Sequence, residues 1–158
     1  MNTALLRQIQ EHIAARPGRF SAAHWGWARN AGKVVQQGAE PRDFRCCIAG
    51  HALVLSGTYS EYDLVCQSGI VNEDGYLWQR AAEVLQLSKR QSNQLFFPSQ
   101  WSSPFKEQYY LGGRDEESSV CAAYINHFLE QQSGAAESVP SEREAEATHR
   151  LESPLCHV

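Results

Sequence analysis

No apolar run in this chain approaches the ~20 residues needed to cross a membrane as a helix, and alternating apolar–polar strand patterns are scarce. The first absence argues against a membrane protein, and the second against a sheet-based fold. No segment with a basic start, an apolar middle and a small-residue cleavage site opens the sequence, and its five cysteines, Cys46, Cys47, Cys66, Cys121 and Cys156, are odd in number and unpatterned. A reducing cytoplasm is the expected compartment, with no disulfide framework. Glycine-rich phosphate loops, dinucleotide fingerprints and a Ser-His-Asp order are all missing, so no cofactor is expected. Zinc sites normally bring two paired ligand groups, whereas only one pair, Cys47 and His51, is visible; no metal is expected either.

Strong net charge is absent too. The formal charge is −4, and residues 1–132 carry twelve Lys/Arg against thirteen Asp/Glu. Scattered cations are poor competitors for the counterions around nucleic acid, which argues against a nucleic-acid partner. Residues 133–158 differ: Arg143 and Arg150 face Glu137, Glu142, Glu144, Glu146 and Glu152 among Ser, Gly, Ala and Pro. A segment of that composition buries too little to offset its ordering entropy and reads as a flexible acidic tail. Its glutamates lack the rigid surroundings that catalytic carboxylates require. At 158 residues the rest fits one domain, residues 1–132, large enough to fold around a single core.

What is present is helical periodicity. Leu5, Leu6, Ile9 and Ile13 predict an amphipathic helix from about Thr3 to Arg16, stopped by Pro17-Gly18. Phe20 to Trp27 reads as a helical turn whose tryptophans cover one end of the core, and residues 28–42 as a polar connector. The stretch from Cys46 to Gly57 is apolar on nearly every face, so it marks the centre of the fold, with Asp43 as its expected cap and Gly57 as its left-handed stop. Tyr62, Leu64, Val65, Ile70 and Val71 form a short apolar patch before a turn at Asn72-Glu73-Asp74-Gly75. Tyr76 to Leu87 is another core-facing helix. Ser88 with Gln91 makes a capping box that restarts a helix as far as about Phe97. Ser103-Pro104 opens a short helix closed by Gly112-Gly113, and a last helix runs from about Asp115 to Gln131 with acidic residues at its positive end. The expectation is an all-α bundle of five to seven mostly short helices around the apolar central one.

Several landmarks follow in order: Pro17 and Phe20; Trp25 or Trp27; Cys47-Ile48-Ala49-Gly50-His51-Ala52; Ala82; Leu85-Gln86-Leu87-Ser88; Leu95-Phe96; Trp101, Phe105 and Tyr109; Ile125-Asn126-His127-Phe128. Over roughly residues 5–130 this order resembles a family of small bacterial and phage-borne proteins of unknown function. The resemblance implies a compact helical domain and no activity. Cys47 and His127 fall on matching positions. The family usually has a bulky residue where His51 stands and Gly where Gln86 stands.

Three kinds of chemistry compete for the informative residues. Cys46 or Cys47 near a helix N-terminus, with His51, His127 or His24 as base, would make a thiolate nucleophile; the apolar neighbours Ile48, Leu53 and Val54 instead predict packing. Residues 80–97 have the outline of a helix-turn-helix, with Lys89, Arg90, Gln91 and Asn93 facing nucleic acid. Three features count against it: Gln86 in a turn that favours glycine, Ser92 where an apolar anchor is usual, and an early stop at Pro98. Trp101, Phe105, Tyr109 and Tyr110 form the expected binding surface, because adjacent Tyr109 and Tyr110 cannot both face inward. The function expected from these residues is a non-enzymatic interaction module with a protein partner.

Overall fold

The computed structural model describes residues 1–67 and 76–137. Among them are eight α-helices: α1 (Thr3–Ala15), α2 (Ala31–Gln37), α3 (Ile48–Leu55), α4 (Glu61–Gln67), α5 (Leu77–Val84), α6 (Lys89–Phe96), α7 (Phe105–Leu111) and α8 (Glu117–Glu137), with 3₁₀ turns at Pro17–Arg19 and Pro98–Gln100. The fold is all-α. No helix among the described residues is long and apolar enough to cross a membrane.

The helix count exceeds five to seven because two segments with weak apolar signals are helical. The connector at residues 28–42 contains α2, whose one buried residue is Val34, and the patch around Leu64 and Val65 is α4. Both are one or two turns long, so a single docked apolar residue or pair stabilises them where an isolated helix would not form. Ile70, Val71 and the turn at residues 72–75 lie outside the described residues, as does the tail from residue 138 and with it Cys156. Helix α8 continues to Glu137, past both its expected end near Gln131 and the expected domain boundary at 132.

Phe20 to Trp27 is not the helical turn the sequence predicts. It runs alongside the segment before α3 in two isolated bridges, Phe20 with Cys46 and Trp27 with Arg45. Ser21 N–H donates to Cys46 O (3.1 Å), Cys46 N–H to Arg19 O (3.1 Å), and Trp27 and Arg45 exchange bonds of 2.9 Å. Those bonds hold residues 45–47 extended, which also explains why Asp43 does not cap the central helix. It sits upstream with φ +52° and pairs with Arg29 at 2.6 Å, while Cys47 occupies the N-cap.

Helix α3 is the centre. Six of its eight residues, Ile48 to Leu53, are buried, and it packs against α5, α1 and α6. Gly57 (φ +74°) stops it, as a residue without Cβ can at no steric cost. The most extensive helix pair is α1 on α8, where Leu6, Ile9 and Ile13 meet a core that includes Ile125 and Phe128, all nearly without solvent contact. Helix α7 packs on α8. Helices α5 and α6 are joined by a tight turn, and the predicted capping box is present: Gln91 N–H donates to Ser88 Oγ (3.2 Å) and Ser88 N–H to Gln91 Oε1 (2.9 Å).

Candidate functional site

The chemistry-bearing residues at the start of α3 do come together, in a different pairing from the one their spacing suggests. His51 Nδ1 lies 3.2 Å from Cys46 Sγ and 3.0 Å from the Cys47 carbonyl oxygen. A carbonyl only accepts, so Nδ1 carries the proton and shares it between the carbonyl and the sulfur. A protonated Nδ1 cannot take a proton from the Cys46 thiol. Cys47, one helical turn before His51, offers that imidazole its carbonyl, since its own side chain stands at the helix cap.

Burial sets the protonation states. Cys46, Cys47 and His51 are 1%, 7% and 3% exposed. Burial pushes the Cys46 thiol far above the ordinary range, with smaller contributions from Cys47 and Glu61. It raises Cys47 to about 11 even though the N–H groups of Gly50 and Ala49 pull the other way. It lowers His51 to about 4, assisted by His12 and Arg19 and opposed by the hydrogen bond to Cys47. At neutral pH the cluster is therefore two thiols and a neutral imidazole. The rings of His12 and Phe20 cover His51 at 5.3 and 6.2 Å between centroids. Cys121 is fully buried, its thiol also raised, first by burial and then by Cys47.

Gly50 closes the cluster from another side, a role the sequence reading missed. A Cβ there would stand 2.4 Å from the Trp25 carbonyl oxygen and 2.6 Å from Cys46 Cβ. The glycine lets the chain at Trp25 lie directly on α3. A glycine inside an apolar helical run was the available signal, since its helical cost calls for a packing reason.

The imidazoles of the other candidate bases point elsewhere, although the His24 carbonyl accepts the Cys47 N–H at 2.7 Å. His127 contacts Phe105 (5.0 Å between rings) and Gln131 Nε2 (2.9 Å), and exposed His24 bonds Ser21 Oγ at 2.9 Å. No group of three or more His, Cys, Asp or Glu residues able to hold a metal occurs among the described residues.

The expected aromatic surface divides. Trp101 belongs to the core rather than the surface: it is 3% exposed, its indole N–H donates to Leu95 O (3.2 Å) and it stacks on Tyr124 at 4.5 Å. A tryptophan that satisfies its one donor internally has no reason to face water. Phe105 is half-buried against Tyr124 and His127, and Tyr109 leans on Trp101 with its hydroxyl 3.5 Å from Glu117. Tyr110 is exposed, and so is Leu111, at 86%; as the last residue of α7, Leu111 carries no periodic signal in the sequence that would mark it.

In the α5–α6 pair, Lys89 and Arg90 are exposed and Asn93 partly so. Gln91 is already occupied: its Oε1 accepts from Ser88 N and its Nε2 donates to Gln132 Oε1 at 2.8 Å. It is committed to the cap and to α8 rather than to an outside partner.

Searches for related proteins among protein-family models, curated sequences and solved structures find no match.

Proposed function

We propose that this chain is a non-enzymatic interaction module whose partner is another protein, engaged through the end of α7. One observation carries the reading: Tyr110 and Leu111 project into solvent side by side at 58% and 86% exposure, on a helix whose other aromatics, Phe105 and Tyr109, anchor it to α8. An exposed tyrosine and leucine on a rigid support are the kind of pair that serves as an interface anchor. Tyr110 also stands 5.0 Å from Tyr109 in an edge-to-face arrangement, which limits the rotamer entropy lost on docking.

The burial of Cys46, Cys47 and His51 supports the non-enzymatic half of the reading. A nucleophile must meet its substrate, and its thiolate must be within reach of neutral pH. Both thiols here are raised and covered. Four unpaired thiols among the described residues suit a reducing, cytoplasmic setting.

The test is partner capture by the full chain in parallel with Tyr110→Ser/Leu111→Ser. Substituting two exposed residues leaves the melting temperature within about 1–2 °C of the parent. A partner retained by the parent and lost by the variant supports the assignment. Equal retention by both moves the interface away from α7.

A further inference from the structure

The α5–α6 pair carries a second surface, distinct from that of α7, and the details that argued against it in the sequence resolve in its favour. Gln86 adopts φ +53°, the left-handed conformation that a glycine would supply in such a turn. Gln86 N–H donates to Glu83 O and Leu87 N–H to Ala82 O, each at 2.9 Å. These are the paired bonds of a Schellman stop, with Ala82 and Leu87 as its apolar contact. Ser88 then caps α6 at once. The junction is four residues, Leu85 to Ser88, between two eight-residue helices, the connection expected of a helix-turn-helix.

Ser92 causes no difficulty either. It is fully buried, and its hydroxyl donates to Lys89 O at 3.0 Å, so a small side chain seats α6 against the core with no polar group left unpaired. The stop before Pro98 leaves α6 its full eight residues, with Leu95 and Phe96 buried beneath it.

The remaining side of α6 is polar, with Lys89 and Arg90 exposed and Asn93 and Gln94 partly so. At 100° per residue, Arg90, Asn93 and Gln94 span about 100° of the circumference of α6, with Lys89 on one flank. None of these four side chains has an ion-pair or hydrogen-bond partner among the described residues. The neutral charge of the whole body hides this, because the cations of α6 have no carboxylate on their own helix. Beside Lys89 a cleft of about 270 Å³ opens between the two helices, lined by Trp78, Gln79, Ala82, Leu87 and Ser92.

We propose that this pair binds duplex DNA, with α6 in the major groove. Arg90, Asn93 and Gln94 face the base edges, where Arg suits guanine and Asn or Gln suits adenine. Lys89 meets the flanking phosphate. Helix α6 touches α8 at Tyr124 and Gln132, whereas Tyr109 of α7 touches it at Glu117, so the two helices meet α8 about 10–22 Å apart along its axis.

With two cations the electrostatic contribution is small. The one phosphate contact, from Lys89, predicts a loss of roughly three- to fourfold in affinity between about 50 and 200 mM salt. The test is selection of binding duplexes from a random-sequence library by the full chain, followed by fluorescence anisotropy on the labelled duplexes recovered. Mixed-sequence duplex and single strands of the recovered sequences serve as controls. The expected results are enrichment of a sequence, preference for duplex over single strand, and a loss of at least tenfold for Lys89→Ala/Arg90→Ala with unchanged circular dichroism and melting. Asn93→Ala should relax the selected sequence more than it weakens mixed-sequence binding, and Tyr110→Ser/Leu111→Ser should leave DNA affinity as it was. Failure to enrich any sequence together with no binding of mixed duplex at about 50 mM salt overturns the proposal. So does binding that survives loss of Lys89 and Arg90, or that prefers single strands.

Discussion

The start of α3 and the outer side of α6 use reactive and polar residues in opposite ways. At α3, an imidazole is satisfied by the Cys46 sulfur and the Cys47 carbonyl beneath the rings of His12 and Phe20. At α6, two exposed cations and two partly exposed amides have no side-chain partner among the described residues. The difference teaches that residue type is a poor guide to a site, and that the useful question is whether a polar group has already been satisfied. Cysteine and histidine draw attention in the sequence, yet the polar side chains that no internal partner occupies on α6 are Lys89, Arg90, Asn93 and Gln94.

The comparison breaks most completely at Leu53. It has no exposure at the centre of α3, and Leu53→Asp should abolish folding, because an unpaired buried carboxylate exceeds the stability of an ordinary domain; a cooperative melt in that variant would remove α3 from the centre of the fold.

Acid comes next. His51 has a folded pKa of about 4 against 6.5 for the free side chain, so between those values the unfolded chain binds more protons than the folded one. Stability contributed by neutral His51 is full above pH 6.5 and is lost progressively as pH falls toward 4, a loss of about 3 kcal/mol. His12 is lowered as well, first by burial, and acts in the same direction. Denaturant midpoints measured across this range should fall with pH, and His51→Gln, which cannot titrate there, should flatten the slope. An equal slope in the variant would assign the acid sensitivity to other groups.

A milder perturbation sharpens the contrast at Gly50. Gly50→Ala pushes a methyl group into the Trp25 carbonyl and Cys46, and should cost about 1–3 kcal/mol through overpacking. In the parent at neutral pH, partly exposed Cys66 should alkylate readily while Cys46 and Cys47 react only on unfolding; in the variant the two buried thiols should become faster. Rapid alkylation of Cys47 in the folded parent would restore the nucleophile reading.

The smallest effect lies in the α5–α6 turn. Gln86→Gly should stabilise by about 0.5–1 kcal/mol, since glycine takes φ +53° without a Cβ penalty. A loss of stability instead would mean that the Gln86 side chain itself supports the turn.

Much of this organisation is legible in residue spacing. The amphipathic helix α1, the Ser88–Gln91 cap, the stop at Gly57 and the inward side of α8 each follow from signals within a few residues of one another. Helix α2 was illegible because only Val34 anchors it. The bridges of Phe20 with Cys46 and Trp27 with Arg45 were illegible because each joins segments far apart in sequence. For the candidate sites, spacing put His51 with Cys47, whereas the extended backbone before α3 turns the Cys46 sulfur toward the imidazole. The exposed aromatic of the Tyr109-Tyr110 pair followed from helical geometry, while the burial of Trp101 did not.

By itself the sequence determined the class of fold and the position of its centre, because helical periodicity, caps and apolar runs act over one or two turns. Only the tertiary structure decided which polar groups find partners. Satisfaction depends on atoms brought together from distant segments: His51 receives its cover from α1 and from Phe20, while exposed Arg90 and partly exposed Asn93 meet no side-chain hydrogen-bond or ion-pair partner among the described residues.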